Sequence, residues 1–366
     1  MMNLVGHLFL EVDILTRSTV AICSTLVLSA CASTEIFYVP PSEDLFAVQA
    51  DFETPVVASI GDSADDPAIY VGTNGNGFIA GTDKQAGIYI YNLDGTERKF
   101  WPVGTVNNVD LRGGFIWNGR EYVLLLAGDD DNNTLVPLFY HPESDQFARP
   151  DGGDIAITPS PYGLCLGRVG HDIHAGITTK AGVYYQYRIF EGAGDGQGKV
   201  EAELLRQFRV GTQIEGCVID DRTGKLYIAE ENGGLFVYGA RPADGDARDE
   251  IARVGQNGLM TDLEGVTVYP QGDNGGYLLV SSQGNNTYGV FELPSHDFAG
   301  QFEIAEGGVD QTSKTDGIDV TPMATPQFPD GFLVVQDNQQ DQATPEGREK
   351  QNFKIVDWRK IKAGLN

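Results

Sequence analysis

The feature that most restricts the fold of this chain is a strand-like segment, rich in aromatic and β-branched residues, that recurs about every 50 residues. Gly, Asp and Asn fill the turns between the segments, and helical spacing of apolar residues is almost absent. One such unit has room for four short strands, so we predict an all-β fold, a six-bladed β-propeller of four-stranded antiparallel blades. The six segments lie at residues 87–91, 135–140, 182–187, 234–238, 288–291 and 353–356.

A second pattern recurs in the same register, in which a polar residue is followed by Gly and then by an apolar strand. Four copies are separated by 53, 49 and 52 residues. If each copy begins the innermost strand of a blade, the polar residues form one ring around the mouth of the central channel. The four copies begin at Tyr162, Glu215, Glu264 and Asp316, and the register continues backwards to Asn108, Asp110, Asp65 and Asp66.

Acidic residues dominate the charge of the chain, with 52 Asp and Glu against 25 Lys and Arg and a formal net charge of −27. This balance argues against electrostatic binding to nucleic acid or to an anionic membrane surface. Four or more carboxylates in a ring repel one another, so we expect bound cations there. Oxygen ligands without a Cys/His cluster favour Ca²⁺ over Mg²⁺. The alternative is that these carboxylates are solvated turn residues.

The N-terminus has the features of an export signal. A mostly apolar run at residues 18–28 has the length of a signal-peptide core and is too short to span a bilayer. It ends in Leu28-Ser29-Ala30-Cys31, which resembles the bacterial lipobox, whose cysteine is acylated. We therefore expect an exported protein of the bacterial cell envelope, held at the outer membrane or cell surface only by lipid on Cys31; an ordinary secretory signal is the alternative. The expected boundaries are a lipoprotein signal peptide at residues 1–30, a tether at 31–50 and the propeller at 51–366.

Two cysteines, Cys165 and Cys217, remain in the expected mature chain besides Cys31. In an oxidising compartment they could form a disulfide, but two cysteines do not make a disulfide framework. Free buried thiols are the alternative, and the sequence leaves the pairing open.

Motifs that match a known family lie in order along nearly the whole expected mature chain. They run from about Glu53 to Trp358 and include Asp65-Asp66-Pro67-Ala68-Ile69, Glu215-Gly216-Cys217, Asp262-Leu263-Glu264-Gly265, Thr315-Asp316-Gly317-Ile318-Asp319-Val320 and Gln351-Asn352-Phe353-Lys354-Ile355-Val356. These motifs resemble those of the β-propeller phytases. The resemblance implies a six-bladed propeller and a calcium-dependent enzyme of the 3-phytase type, which hydrolyses phosphomonoesters of myo-inositol hexakisphosphate (phytate), often as its calcium salt. We expect a monomer.

The resemblance also implies roles for individual residues. Several Ca²⁺ ions at the channel mouth would turn the acidic ring into a phosphate receptor, lower the pKa of a bridging water and so supply the nucleophile. Lys84, Lys180 and Tyr162 match phosphate-binding residues of the family, and with Glu215 and Glu264 they form the predicted catalytic set. The predicted metal ligands are Glu53, Asp65, Asp66, Glu215, Glu231, Asp262, Glu264, Asp310 and Asp316.

Two positions depart from the family pattern. Where the family has an arginine that grips phosphate, this chain has Gly128-Asp129-Asp130-Asp131, and where a Glu follows the second lysine, it has Ala181. Loss of a bidentate guanidinium should weaken phosphate binding by about 1.5–3 kcal/mol if nothing replaces it. The extra acids could instead hold another Ca²⁺.

Several other polar residues are expected to be structural. Arg112 is predicted to form an ion pair with Asp110, and Gln283, Asn285 and Asn286 are predicted to close a turn.

Two other functions fit parts of the sequence. One is a non-catalytic surface propeller that binds calcium or phosphorylated ligands, suggested by the two departures. The other is a calcium propeller lactonase, which would need a channel-facing histidine pair. The closely spaced His171 and His174 follow a strand between glycines, so a hairpin tip is the better prediction. The sequence contains no Arg-His-Gly phosphatase motif and no Walker loop.

Overall fold

The repeated segments form six β-sheets arranged in a ring in the computed structural model, which describes residues 39–73, 75–194, 198–338 and 350–365. The predicted six-bladed β-propeller of four-stranded blades is therefore confirmed. Within the described ranges, no helix is both long and apolar enough to cross a membrane. The predicted signal peptide and Cys31 lie outside the described residues.

Two short strands precede the first blade, and each later joins a blade near the C-terminus. In blades 1 and 2 consecutive antiparallel strands run from the channel to the rim, and one extra strand is added in blade 2. The strands are β1 (Leu45–Val48) and β2 (Phe52–Glu53), then β3 (Ala64–Val71), β4 (Gly77–Asp83), β5 (Gly87–Tyr91) and β6 (Glu97–Trp101) in blade 1, and β7 (Val109–Trp117), β8 (Arg120–Asp129), β9 (Thr134–His141), β10 (Gln146–Ala148) and the extra β11 (Ile155–Ala156) in blade 2.

Blades 3 and 4 repeat the same meander, with the innermost strand first in sequence. Short turns rich in Gly, Asp and Asn connect their strands, as the sequence pattern predicts. The strands are β12 (Gly163–Val169), β13 (Asp172–Thr178), β14 (Val183–Glu191) and β15 (Val200–Arg209) in blade 3, and β16 (Ile214–Asp220), β17 (Lys225–Glu230), β18 (Gly234–Gly239) and β19 (Arg248–Arg253) in blade 4.

Blades 5 and 6 complete the ring, and a short helix follows the last strand. The helix N-cap is Asp357, whose side chain accepts a hydrogen bond from the Arg359 backbone. The elements are β20 (Leu263–Gln271), β21 (Gly275–Ser282), β22 (Thr287–Leu293) and β23 (Phe298–Ile304) in blade 5, and β24 (Ile318–Thr321), β25 (Phe332–Asp337), β26 (Asn352–Asp357) and α1 (Trp358–Gly364) in blade 6 and beyond it.

The hydrophobic core lies between the blades rather than at the channel. The buried apolar residues form six clusters, each shared by two neighbouring blades. Between blades 5 and 6, for example, the Trp358 ring stacks on Tyr269 with centroids 3.9 Å apart. Both faces of a blade pack against neighbouring blades and hold the apolar side chains. Polar residues can therefore occupy the channel side of the innermost strands.

The N-terminal strands close the ring. β2 pairs antiparallel with β26, so that Phe52 lies opposite Ile355, and it supplies the outer strand of blade 6. β1 lies parallel to β23 and covers the edge of blade 5. The expected tether at residues 31–50 therefore includes four residues that belong to a sheet, because their backbone groups pair with the exposed edge of β23.

A disulfide joins Cys165 in β12 to Cys217 in β16, with the Cα atoms 5.6 Å apart. Both side chains are buried. Of the two alternatives that the sequence left open, the structure has the paired cysteines. The bond links the innermost strands of blades 3 and 4.

Candidate active site

The polar residues of the second sequence pattern lie together at one end of the innermost strands. These strands contact one another in the cyclic order β3, β7, β12, β16, β20, β24. Tyr162, Glu215 and Glu264 each stand at the start of their strand or just before it, and Asp316 stands two residues before β24. The predicted ring thus forms at one mouth of the channel.

The glycine of the pattern is explained by the close approach of neighbouring blades. A Cβ atom at Gly216 would lie 2.0 Å from the backbone oxygen of Glu264, and one at Gly163 would lie 2.2 Å from that of Glu215. The strand pairing also shifts at Glu215 in β16 and at Glu264 in β20. Such β-bulges re-aim a side chain, and here they accompany the two carboxylates at the channel mouth.

Three glutamates from blades 4 and 5 form the most compact acidic group among the described residues. One carboxylate oxygen of each of Glu215, Glu231 and Glu264 lies within 4.8 Å of the others, and all three residues are buried. Burial, together with the charge of neighbouring carboxylates, raises the pKa of Glu215 and Glu264 well above the usual range. Burial also raises the pKa of Glu231, and the charge of Asp262, on the loop before β20, raises it further.

This group has the features of a cation site. Oε1 of Glu231 and Oε2 of Glu264 are buried and accept no hydrogen bond from any described residue. Buried carboxylates without a partner are costly unless a cation neutralises them. An all-oxygen donor set of this kind fits a hard ion such as Ca²⁺.

Lys84 lies beside the ring in a network of acids. Its Nζ is 2.7 Å from Asp62 Oδ1, 2.9 Å from Asp65 Oδ1 and 3.3 Å from Asp316 Oδ2. Burial alone would lower the pKa of Lys84, but these carboxylates outweigh it and raise the pKa, so the ammonium stays charged. Burial and the charge of Asp65 raise the pKa of Asp316 to about 8.

Tyr162 and Lys180 form the side of the ring that faces blade 3. The Lys180 ammonium lies 4.7 Å from the centroid of the Tyr162 ring, a cation–π contact. The Tyr162 hydroxyl accepts a hydrogen bond of 3.0 Å from Gln213 Nε2. Burial and the charges of Glu215 and Glu264 raise the pKa of Tyr162, so the hydroxyl remains protonated.

Lys84, Tyr162 and Lys180 border a cavity of about 470 Å³ at the channel mouth. Two lysines, a tyrosine hydroxyl and the amide of Gln213 can donate hydrogen bonds into it, as phosphate recognition requires. Two carboxylates also border it. The lining residues are Asp62, Lys84, Asn107, Asp130, Tyr162, Lys180 and Gln213.

Glu53 and Asp310 belong to a different group from the three glutamates. Both contact the fully buried Lys354, whose Nζ is 3.1 Å from Glu53 Oε2 and 3.3 Å from Asp337 Oδ2, and which also pairs with Asp310. Burial raises the pKa of Asp337 to about 6, against the effect of Lys354. The predicted ligand set is therefore divided between the channel mouth and blade 6.

Asp66 lies deeper in the channel. Its Oδ2 accepts a hydrogen bond of 3.1 Å from the Val109 backbone, and burial raises its pKa well above the usual range. Arg112 lies in the same part of the channel, 3.0 Å from Asp110 Oδ1 and 3.4 Å from Asp221 Oδ2. The predicted structural ion pair of Arg112 and Asp110 is confirmed.

Of the two histidines predicted at a hairpin tip, only one lies there. His171 is exposed in the turn between β12 and β13, as predicted. The prediction is wrong for His174, which lies within β13 and is buried, with Nδ1 2.7 Å from Gln186 Nε2. Neither histidine lines the cavity at the channel mouth or the separate cavity that Asp66, Asp110 and Arg112 border, so the geometry does not favour a lactonase.

The predicted turn-closing role is confirmed for Asn285, whose Oδ1 accepts hydrogen bonds of 2.7 Å from Ser282 Oγ and from Thr287 Oγ1. Asn286 Oδ1 instead accepts a hydrogen bond of 2.7 Å from the Lys314 backbone, outside the turn. Gln283, by contrast, donates to Asp316 at the ring.

Sequence reasoning assigned no role to Asn107, Gln213, Asp62 and Asp337. Asn107 Nδ2 donates to Glu215 Oε1 over 3.0 Å and to the Tyr162 backbone oxygen over 2.8 Å. Asn107 directly precedes Asn108, which belongs to the repeated register, and this position could have indicated that Asn107 lies at the ring. Gln213 likewise precedes Glu215 by two residues.

A family model and a curated relative place the chain in one family. The family model described as Phytase matches residues 15–366 of the chain. A 3-phytase from Bacillus subtilis (strain 168) is 34% identical over 351 residues, which cover 92% of this chain and 90% of that protein. Among solved structures, the hydrazine synthase of Kuenenia stuttgartiensis has 12% identity and a TM-score of 0.45, over 73% of this chain and 79% of that one.

Proposed function

The chain belongs to the phytase family and is a phytate-hydrolysing phosphatase, and from this premise we propose that it is calcium-dependent and acts at the mouth of the propeller channel. The observation that carries the proposal is the position of the three glutamates. Glu231 and Glu264 each have a buried carboxylate oxygen that no described residue partners. The Glu215 and Glu264 charges act on Tyr162, which borders the cavity together with Lys84 and Lys180.

We propose that Glu215, Glu231 and Glu264 hold Ca²⁺, with Asp65, Asp262 and Asp316 as neighbouring ligands. When bound, Ca²⁺ would neutralise the negative charge on phosphoryl oxygens and lower the pKa of a bound water. Glu53, Asp310 and Asp66 remain proposed ligands of further ions away from this group, so that several ions would be bound in all.

The chain's own residues would bind and orient the phosphate. Lys84 and Lys180 are charged donors on two sides of the cavity, and the protonated Tyr162 hydroxyl is a third donor. Asn107 holds Glu215 in place through its amide, which also binds the Tyr162 backbone. Positioning of this kind is the main contribution of a protein to phosphoryl transfer.

Removing calcium with excess EDTA is expected to abolish phosphate release from phytate and to lower the melting temperature. The ring carboxylates repel one another without a cation, and a ligand that binds only the folded state stabilises it. Phosphate release and thermal unfolding should be measured on the same samples, and added Ca²⁺ should restore both. Full activity in excess EDTA would contradict the proposed metal dependence.

We propose further that the chain is exported and acylated at Cys31, and that residues 31–44 link the lipid to the propeller. The lipobox-like sequence supports this proposal, and so does the disulfide, because such bonds persist in oxidising compartments.

Cys31→Ala is expected to move the protein from the membrane fraction to the soluble fraction of an expressing bacterium. Membrane anchoring of a lipidated protein depends on the acyl chains buried in the bilayer, so loss of the acylation site removes the anchor. Phytate hydrolysis per molecule should stay at the wild-type level, which controls for folding. A mutant that still sediments with membranes would show that the cysteine is not the anchor.

A further inference from the structure

The strand that carries Glu215 is interrupted at that residue. The pairing of β16 with β17 shifts between Ile214 and Cys217, so Glu215 and Gly216 lie in a bulge. A bulge locally breaks the ladder of backbone hydrogen bonds and re-aims the side chain that it carries. Contacts from outside blade 4 can therefore take part in setting the position of the Glu215 carboxylate.

Thr178, the last residue of β13 in blade 3, makes such a contact. The residue is fully buried, and its hydroxyl group donates a hydrogen bond of 2.6 Å to the backbone oxygen of Glu215. The backbone oxygen of Thr178 accepts a hydrogen bond of 3.0 Å from the Tyr162 backbone. One residue thus binds both the backbone of Tyr162, just before β12, and the bulge that carries Glu215.

Gly163 leaves the space for this contact. Gly163 lies opposite Thr178 in the β12–β13 register. A Cβ atom at Gly163 would lie 2.2 Å from Thr178 Oγ1 and 2.2 Å from the backbone oxygen of Glu215. The two atoms of the hydrogen bond therefore occupy the place that the side chain of any other residue would need.

Asn107 links the same two residues by a second route. Its Nδ2 donates to Glu215 Oε1 over 3.0 Å and to the Tyr162 backbone oxygen over 2.8 Å. Thr178 binds the Glu215 backbone and Asn107 binds the Glu215 side chain, and both also bind the Tyr162 backbone. The proposed calcium ligand is therefore held relative to the proposed phosphate donor through both its backbone and its carboxylate.

We propose that Thr178 is a positioning residue for the hydrolysis and that its hydroxyl group acts through Glu215. The hydroxyl holds the bulge so that the Glu215 carboxylate faces the calcium site while Tyr162 faces the phosphate. Calcium affinity and turnover then depend on the hydroxyl, whereas the contact to Tyr162 uses the Thr178 backbone, which a substitution retains. The inference rests on the proposed calcium site at Glu215.

The test begins with Thr178→Val, which keeps the branched shape of the side chain and removes the hydroxyl group. Calorimetric titration should show calcium binding about tenfold weaker at one site, as is typical when a residue that orients a metal ligand is lost. At saturating Ca²⁺, kcat for phytate should fall about tenfold. The KM for phytate should stay unchanged, because the backbone contact to Tyr162 remains.

Two more variants separate the hydroxyl group from the packing of the side chain. Thr178→Ser keeps the hydroxyl and should retain wild-type calcium affinity and kcat. Thr178→Ala lacks both the hydroxyl and the methyl group and should lose as much calcium affinity as the valine variant, so the test does not depend on the fold accepting valine. A purely structural threonine would change the melting temperature and leave calcium affinity and kcat at wild-type values.

Thr325→Val is the matched control. Thr325 is also buried, and its Oγ1 accepts a hydrogen bond of 3.0 Å from the Phe328 backbone, in the loop after β24 and away from the ring. This variant should have wild-type calcium affinity and kcat, whatever its melting temperature.

The possible outcomes distinguish this inference from the proposed function. Wild-type calcium affinity or kcat in Thr178→Val would overturn the role of Thr178, as would a loss in Thr178→Ser equal to that in the valine variant, or an equal effect of Thr325→Val. Absence of calcium binding by the wild type would overturn the proposed function, and the inference with it.

Discussion

Glu264→Gln is expected to reduce phytate turnover by at least about 100-fold at a fixed calcium concentration. Mutating residues that only support a metal ligand typically costs 10- to 100-fold in affinity or activity, and Glu264 is proposed as a ligand itself. Gln has nearly the same volume, so the packing between blades 5 and 6 should be preserved. Calcium titration and phytate kinetics on the purified variant measure the two effects.

The stability of this variant should fall below that of the wild type only when calcium is bound. Burial and like charges raise the pKa of Glu264 in the folded state. When no cation is bound, this carboxyl therefore destabilises the folded state as the pH rises above the ordinary carboxyl pKa, and the loss is complete above the raised pKa. Without calcium the variant should therefore melt at the same temperature as the wild type or higher. With calcium it should melt at a lower temperature, because one charged ligand is missing.

Glu292→Gln is the control for the loss of one charge from the same blade. Glu292 is exposed in β22 and points away from the buried core. This variant should have wild-type calcium affinity, turnover and melting temperature. If Glu264→Gln also behaves like the wild type in all three measurements, the active site lies elsewhere.

Removal of the disulfide is expected to lower the free energy of unfolding by about 4 kcal/mol. Cys165 and Cys217 are 52 residues apart in sequence, and cross-linking a loop of that length restricts the unfolded chain by roughly this amount. The variant is Cys165→Ala with Cys217→Ala, and urea unfolding at saturating calcium measures the change.

The two single variants distinguish the disulfide from ordinary packing. If the bond is the source of the stability, either single change should cost nearly as much as both together, because each breaks the same bond. Wild-type protein treated with a reductant under unfolding conditions should approach the variants. Additive effects of the two changes would instead mean that each side chain contributes only by its own packing.

The fold could be predicted because its signals repeat. The polar-Gly-strand pattern recurs for a physical reason, since Gly216 and Gly163 leave no room for a side chain beside the next blade. Because neighbouring blades approach closely at each such boundary, the glycine recurs in the sequence at a nearly constant spacing. The ring of acids followed from the same register.

The site was predicted less completely because some of its contacts come from single positions. Asp62 reaches the ring from a loop whose path no repeat fixes. His174 was placed in a turn because glycines flank it, but Gly176 belongs to β13 and packs against the Tyr184 side chain and Cys165 Sγ. Glu53 and Asp310 were grouped with the ring acids, whereas the structure brings them to Lys354 in blade 6.

The closure of the ring by β2 and β26 also sets the order in which the protein can fold. Residues Glu53 and Lys354 face each other across the seam, so the last contact joins segments about 300 residues apart in the chain. Contacts between such distant segments form slowly, and this one cannot form before the final strand has been synthesised. Until β26 has been made and has paired with β2, the ring of blades therefore stays open and the backbone edge of β2 has no partner strand.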